Sequence, residues 1–153
     1  MERVDWIPAD DWETVVRNAP IVSVDLIVRH NGGVVLGHRE NEPIKDRWFV
    51  PGGRVQKGER LTQAVHRVAE EELWIAVEIC DSLGAYEHFY QNSDIGPDIG
   101  KHYVANGFVV ESLDAEFIPD GQHAEVQVFQ SPPDDLHHYT KQYLQATPDL
   151  SWW

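Results

Sequence analysis

The spacing of apolar residues along this 153-residue chain predicts two kinds of element. Seven short stretches rich in β-branched and aromatic residues have the character of strands. They are residues 21–29, 34–39, 48–50, 75–79, 85–90, 102–111 and 125–130. Asn31-Gly32-Gly33 lies between the first two and predicts a tight hairpin. Residues 91–100 are rich in turn-forming residues and predict a loop.

A different period marks the helices. Six apolar residues recur at helical spacing within residues 61–73: Leu61, Ala64, Val65, Val68, Ala69 and Leu73. A short helix is predicted near residues 12–18, capped by Asp10 and Asp11 and ended by Pro20, and a last helix over residues 134–146. Strands interrupted by only two substantial helices predict an α/β fold, a mixed sheet covered on two faces. Without an internal repeat or linker, residues 1–153 are expected to form a single domain.

Composition narrows the possible partners. The net charge of −14 argues against nucleic acid as the main partner, because phosphate backbones require clustered Lys and Arg. A nucleotide held by a cation and a few arginines remains compatible with it. The single cysteine, Cys80, fits a reducing compartment and is expected to pack as a small apolar residue. No apolar run reaches membrane-spanning length and the N-terminus lacks a signal-peptide core, so we expect no membrane partner and a cytoplasmic location.

Three consecutive glutamates, residues 70–72, end the central helix. Neighbouring helical residues point about 100° apart, so at least one carboxylate should face the Gly52-Gly53 turn, where backbone carbonyls can join it around Mg²⁺. A lone run of glutamates is more often a solvated surface.

The spacing of charged residues around these glutamates favours a cation site over a solvated surface. Five residues separate Gly53 from Glu59, seven separate Glu59 from Arg67, and Glu71 and Glu72 follow. This pattern resembles the Nudix box, G-x5-E-x7-R-E-U-x-E-E-x-G-U, where U is a bulky aliphatic residue. Val68 replaces the first helical Glu and Trp74 replaces the Gly.

These two departures carry physical consequences. Residues 68 and 72 lie one helical turn apart, so the substitution at Val68 leaves fewer carboxylates and favours a single cation over a cluster. A general base must then come from elsewhere. Trp74 should prevent the helix from ending in an easy left-handed cap. Glu59 and Arg67 are expected to form an ion pair that braces the loop against the helix.

Further segments resemble the GDP-mannose mannosyl hydrolase branch of the Nudix family. They are WFVPGGRVQKGE, the LGHR that ends at Arg39, the EHFY around His88, the HYV and GFVV of one strand, and Gln122-His123 after Pro119-Asp120. The resemblance covers nearly the whole chain. It implies a three-layer α/β/α sandwich, a homodimer for which Trp6 and Trp12 are candidate anchors, and hydrolysis of a GDP-sugar at the anomeric carbon with inversion.

The resemblance also implies roles for individual residues. Glu72, the Gly52 carbonyl and the Gln122 amide oxygen would hold one Mg²⁺ per subunit, with Mn²⁺ as a possible substitute. The diphosphate would be bound by Arg39, Arg54 and Tyr103, and His123 would act as general base. Asp25 and His88 would lie near the sugar, and Glu71 is a lower-ranked candidate for proton transfer.

Taken singly, most of these residues have ordinary structural explanations. Arg39 and Arg54 could be solvated charges, Tyr103 and His88 packed side chains, and Gln122-His123 part of a loop; His137 and His138 are left unassigned. Asp25 differs, because a carboxylate inside IVSVDLIV is costly to bury without a partner. Two other functions stay open: P–O cleavage by an ordinary Nudix pyrophosphohydrolase, and nucleotide-sugar binding without catalysis.

Overall fold

Three helices and seven strands make up the part of the chain that the computed structural model describes, residues 7–39, 44–114 and 125–153. In chain order they are α1 (Ala9–Asn18), β1 (Ile21–His30), β2 (Gly33–His38), β3 (Trp48–Phe49), β4 (Gly52–Arg54), α2 (Leu61–Leu73), β5 (Val77–Tyr90), β6 (Lys101–Ser112), β7 (Glu125–Phe129) and α3 (His138–Ala146).

The strands form one mixed sheet, as the sequence predicted. Its main order is β3-β2-β1-β6-β5, with β4 paired to β1 and β7 paired to β2. β1 and β6 run parallel, whereas the other pairs are antiparallel. β1 is therefore the centre of the sheet, with β2 and β4 along one side and β6 along the other.

Alternation along β1 divides the core between two faces. One cluster contains Val24, Leu26 and Val28 together with the buried face of α2. The other contains Ile27 together with Tyr143 and Leu144 of α3. Helices therefore cover the sheet on both faces, which confirms the three-layer arrangement. Asp25 has the same parity as Ile27, so its carboxyl faces α3.

β5 is one long strand, where the sequence predicted two. Register shifts lie between Ile79 and Asp81 and between Ser82 and Gly84, and Gly84 has a positive φ of 87°. Such bulges insert extra residues into a strand and break the two-residue period from which strands are predicted. Cys80 lies at the first irregularity and is exposed, so the expectation that it packs as a small apolar residue is wrong.

Two helices begin elsewhere than predicted. α1 begins at Ala9 after Pro8 and has no side-chain cap, so Asp10 and Asp11 lie in the first turn, where carboxylates favour the helix dipole. α3 begins at His138 rather than at residue 134. The preceding backbone pairs with Trp48 instead, whose N–H donates to the Asp135 carbonyl at 2.9 Å.

α2 has the predicted position but not every predicted contact. Five of its six apolar positions are buried, whereas Leu61 in the first turn is 37% exposed. The helix ends at a left-handed residue after all, because Trp74 adopts φ 55° and ψ 37°. An L-residue with a Cβ pays for that conformation with about 1–2 kcal/mol.

Candidate active site

Asp25 lies between two glycines of the neighbouring strands. It is opposite Gly52 of β4 and level with Gly107 of β6. A Cβ at Gly52 would collide with Oδ1 of Asp25, and a Cβ at Gly107 would lie 2.8 Å from the Tyr143 ring. The two glycines thus make room for the carboxyl group and for Tyr143, whose hydroxyl donates to Oδ2 of Asp25 at 2.7 Å.

Burial dominates the electrostatics of Asp25. The residue is 7% exposed, and removal from water raises the pKa of its carboxyl to about 7. The Tyr143 hydrogen bond and the charge of Arg39 oppose that rise without cancelling it. Burial and the Asp25 charge raise the pKa of the Tyr143 hydroxyl, which therefore stays a donor. The site consequently holds a carboxyl group that changes charge near neutral pH.

His88 of β5 lies beside Asp25 as a neutral imidazole. Its Nδ1 is 4.0 Å from Oδ2 of Asp25, too far for a hydrogen bond. Burial, and secondarily the charge of His138, lowers its pKa to about 4, so an ion pair with Asp25 does not form at neutral pH. The ring stacks on Tyr139 at 4.0 Å, and its Nε2 is buried without a hydrogen-bond partner among the described residues.

A cavity of about 280 Å³ opens above this pair. Six of the residues predicted for the site line it: Asp25, Arg39, Gly52, Arg54, His88 and Tyr103. They come from β1, β4, β5, β6 and the end of β2, so segments far apart in the sequence converge on one space. At one side of this space are a buried acid and a neutral histidine, and arginines and a tyrosine also line it. This arrangement suits a ligand with both a polyol and an anionic group.

Other lining residues were missed by the sequence reasoning. The cavity also contacts Trp12, Ser23, Phe49 and Tyr90. Trp6 and Trp12 were candidates for interface anchors or for packing within one subunit. Trp6 lies outside the described residues, and the Trp12 indole N–H donates to Oδ2 of Asp94 in the same chain at 3.0 Å. Tyr143 was missed as well. Gly107, a glycine within a predicted apolar strand, was a signal that another group approaches that strand closely.

The ion pair predicted between the loop and α2 is confirmed. Arg67 donates from Nε to Oε2 of Glu59 at 2.7 Å and from Nη2 to Oε1 at 2.9 Å. Nη2 also donates to the Arg54 carbonyl at 2.8 Å, and Nη1 donates to Oε2 of Glu71 at 3.1 Å. Arg67 therefore fixes the backbone of Arg54, a cavity residue, and engages Glu71.

Gly52 and Gly53, which the sequence predicted as a turn, lie in strand β4, and the Gly52 carbonyl fits one ligand position of a cation site. Leu26 N–H donates to the Pro51 carbonyl and Val55 N–H to the Val22 carbonyl. Opposed residues alternate between bonded and non-bonded pairs, so Gly52 occupies a non-bonded position and its carbonyl points away from β1. Hard cations such as Mg²⁺ take such carbonyl and carboxylate oxygens.

α2 presents a second candidate ligand from the side of β4 that Gly53 faces. Val68 is 1% exposed, and its Cγ2 would be 2.9 Å from a Cβ at Gly53. Glu72 follows one helical turn later on the same stripe and is half-buried. Neither Glu71 nor Glu72 is among the described residues that line the cavity. Gln122 and His123 lie outside the described residues, and the described part holds no cluster of three His, Cys, Asp or Glu side chains suited to a metal.

A family model and two known proteins are similar to this chain in sequence. The NUDIX domain family model matches residues 19–150. The low-salt glycan biosynthesis protein Agl8 of Haloferax volcanii is 51% identical over 140 residues, covering 92% of this chain and 90% of that protein. An ADP-ribose pyrophosphatase of Methanocaldococcus jannaschii is 28% identical over 110 residues, covering 72% and 62% respectively.

A solved structure shares the fold of this chain. The crystal structure of a MutT NUDIX hydrolase from Burkholderia pseudomallei superposes with a TM-score of 0.66 at 28% identity, covering 84% of this chain and 98% of that one. In the described part of this chain, no helix is both long and apolar enough to cross a membrane.

Proposed function

Because this chain belongs to the Nudix family, whose hydrolases generally use divalent metals such as Mg²⁺, we propose that it hydrolyses a GDP-sugar to GDP and free sugar. The substrate is GDP-mannose or GDP-glucose, and water attacks the anomeric carbon with inversion. The observation that carries the proposal is the cavity, in which Asp25 and His88 adjoin Arg39, Arg54 and Tyr103. The name of the Haloferax relative, a glycan biosynthesis protein, agrees with a sugar-containing substrate.

The two kinds of lining residue have separate tasks in this reaction. Arg39 and Arg54 bind the diphosphate oxygens through guanidinium groups, and Tyr103 adds a hydrogen bond. Asp25 lies at the sugar, where an ionised carboxylate balances the positive charge that develops at C1 during glycosyl transfer. The neutral imidazole of His88 orients a sugar hydroxyl through its unpartnered Nε2.

One Mg²⁺ per subunit of a homodimer completes the proposed site, and Mn²⁺ can replace it. Glu72, the Gly52 carbonyl and the Gln122 amide would hold the cation, which when bound supplies Lewis-acid stabilisation to the leaving diphosphate. The side chain of Val68 faces Gly53, so α2 offers no second carboxylate at that position. His123 serves as general base, with Glu71 as the lower-ranked alternative.

The position of the bond that breaks decides between this reaction and its alternatives. We would incubate the protein with GDP-mannose and Mg²⁺ in ¹⁸O-labelled water and analyse the products by mass spectrometry. Label in free mannose with unlabelled GDP is expected. Label in GMP or mannose 1-phosphate would refute attack at carbon, and tight binding without turnover would favour a binding domain.

P–O cleavage is the second candidate. The 28% identity with an ADP-ribose pyrophosphatase supports it, as do the two adjacent carboxylates, Glu71 and Glu72. The products in that case would be GMP and a sugar phosphate. Replacing Glu72 by Gln should abolish either reaction, so it tests the cation site, whereas only the ¹⁸O experiment distinguishes the two chemistries.

A further inference from the structure

An ion pair lies next to the aromatic part of the cavity wall. The ammonium of Lys101, at the start of β6, is 2.6 Å from Oδ1 of Asp94 in the loop before that strand. The Lys101 side chain is 8% exposed, whereas that of Asp94 is 46% exposed. The second carboxylate oxygen of Asp94 accepts the indole N–H of Trp12 at 3.0 Å. Asp94 therefore joins two elements: one carboxylate oxygen pairs with Lys101 of β6, and the other accepts a hydrogen bond from Trp12 of α1.

Lys101 also contacts two aromatic rings of the cavity wall. Its ammonium lies 5.3 Å from the centre of the Trp12 ring and 5.6 Å from that of the Tyr103 ring. Both rings line the cavity. Lys101 and Tyr103 are two residues apart in β6, so their side chains leave the same face of the sheet. A cation within about 6 Å of a ring centre is attracted by its π-electrons.

The Trp12 ring in turn contacts Arg54, an arginine that lines the cavity. The guanidinium carbon of Arg54 is 5.9 Å from the centre of the Trp12 ring. α1 itself is weakly held, since Val16 is its one buried residue. The Asp94 hydrogen bond is thus a direct anchor for the end of α1 that carries Trp12.

We propose that Asp94 and Lys101 are positioning residues, which fix the rings of Trp12 and Tyr103 and, through Trp12, the Arg54 guanidinium, for binding a nucleoside diphosphate. The nature of the ligand rests on the proposed function, whereas the positioning of Arg54 does not. Partial burial works against ionisation of Asp94, but hydrogen bonds from Lys101 and Trp12 hold the pKa of its carboxyl below its ordinary value. Asp94 is therefore ionised at neutral pH.

Binding measurements on matched variants test this role. Lys101→Met keeps the length of the stem and removes the ammonium, and Asp94→Asn removes the charge while leaving an acceptor for Trp12. Lys141→Met is the control, because Lys141 lies 5.6 Å from the Trp153 ring, outside the cavity. The affinities for GDP and for inorganic pyrophosphate, each with Mg²⁺, would be measured by calorimetry.

We expect Lys101→Met and Asp94→Asn to weaken both ligands about three- to tenfold, as the loss of cation–π and hydrogen-bond contacts predicts. In turnover of GDP-mannose, KM should rise by that factor while kcat changes less than twofold. The double variant should lose little more than either single one, because both act on the same rings. Affinities equal to those of Lys141→Met, with only the melting temperature lowered, would overturn the inference.

A second measurement needs no ligand. The Nε–H resonance of Arg54, assigned with Arg54→Lys, reports the ring current of Trp12 in the free protein. It should move in Lys101→Met and Asp94→Asn and stay in place in Lys141→Met. If the unmodified protein binds neither GDP nor pyrophosphate, the proposed function falls. An Arg54 resonance that is unmoved in all three variants would refute the positioning role by itself.

Discussion

Replacing Asp25 by Asn should stabilise the fold in alkaline solution and have much less effect in acid. In the folded protein the carboxyl is buried and its pKa is raised from 3.8 to about 7. Folding therefore favours the protonated, uncharged form. Asn has nearly the same shape, carries no charge at any pH, and keeps a carbonyl oxygen that can accept from the Tyr143 hydroxyl.

The size and sign of the effect follow from proton linkage. Well below pH 3.8 Asp25 is protonated in both the folded and the unfolded state, and its burial does not change the free energy of unfolding. Between about pH 4 and pH 7 the unfolded chain releases the proton while the folded chain keeps it, so stability falls as pH rises. Above pH 7 the full cost applies. A rise of about three units at 1.36 kcal/mol per unit gives about 4 kcal/mol at pH 8, against about 1 kcal/mol at pH 4.5.

Urea unfolding followed by far-UV circular dichroism measures the difference. Both proteins would be unfolded at pH 4.5 and pH 8 with EDTA present, and Asp134→Asn at an exposed position controls for the change in net charge. We expect the advantage of the Asn variant to grow by about 3 kcal/mol between the two pH values. An advantage that is equal at both, or an Asn variant less stable at pH 8, would refute the reasoning.

Three further substitutions test other parts of the fold. Trp74→Gly should raise the unfolding free energy by about 1 kcal/mol, because Trp74 is left-handed and 60% exposed; Trp74→Ala should bring no such gain in the same urea titration. Glu59→Gln should cost about 2–3 kcal/mol by weakening the half-buried pair with Arg67, and an unchanged urea midpoint would contradict that pairing. Gly107→Ala should cost about 1–3 kcal/mol by pushing a methyl group into the Tyr143 ring, and wild-type stability would mean that the ring moves freely.

The sequence was most informative where local pattern and burial agree. β1 is predicted by its β-branched residues, and the ion pair of Glu59 with Arg67 by the spacing of the box. The predicted start of α3 and the predicted division of β5 were wrong, because backbone pairing with residues distant in the sequence overrides the local preference there. The residues before α3 bond to Trp48, nearly ninety positions earlier in the chain, and no local pattern of residues 134–137 reveals that. The bulges in β5 likewise depend on its pairing with β6.

The candidate site divides in the same way. Arg39 and His88 could be selected from the sequence through the family resemblance, and both lie in one cavity. Residues that act on the site by holding another side chain, such as Tyr143 and Asp94, could not be selected from the sequence. Tyr143 reaches Asp25 only because Gly107 of β6 is level with it, and Asp94 reaches Trp12 across 82 positions of sequence. Register between strands and helices creates these contacts.

The two glycines of β4, Gly52 and Gly53, separate Asp25 from the glutamates of α2. A Cβ at Gly52 would meet Asp25 on the α3 side of the sheet, and a Cβ at Gly53 would meet Val68 on the α2 side. Glu72 shares the stripe of Val68, so a cation bound by Glu72 in the proposed site would lie on the opposite side of β4 from Asp25. In the proposed reaction the diphosphate faces the cation and the sugar faces Asp25. A carboxyl group that costs the fold about 4 kcal/mol at pH 8 is then retained because its charge is needed at C1.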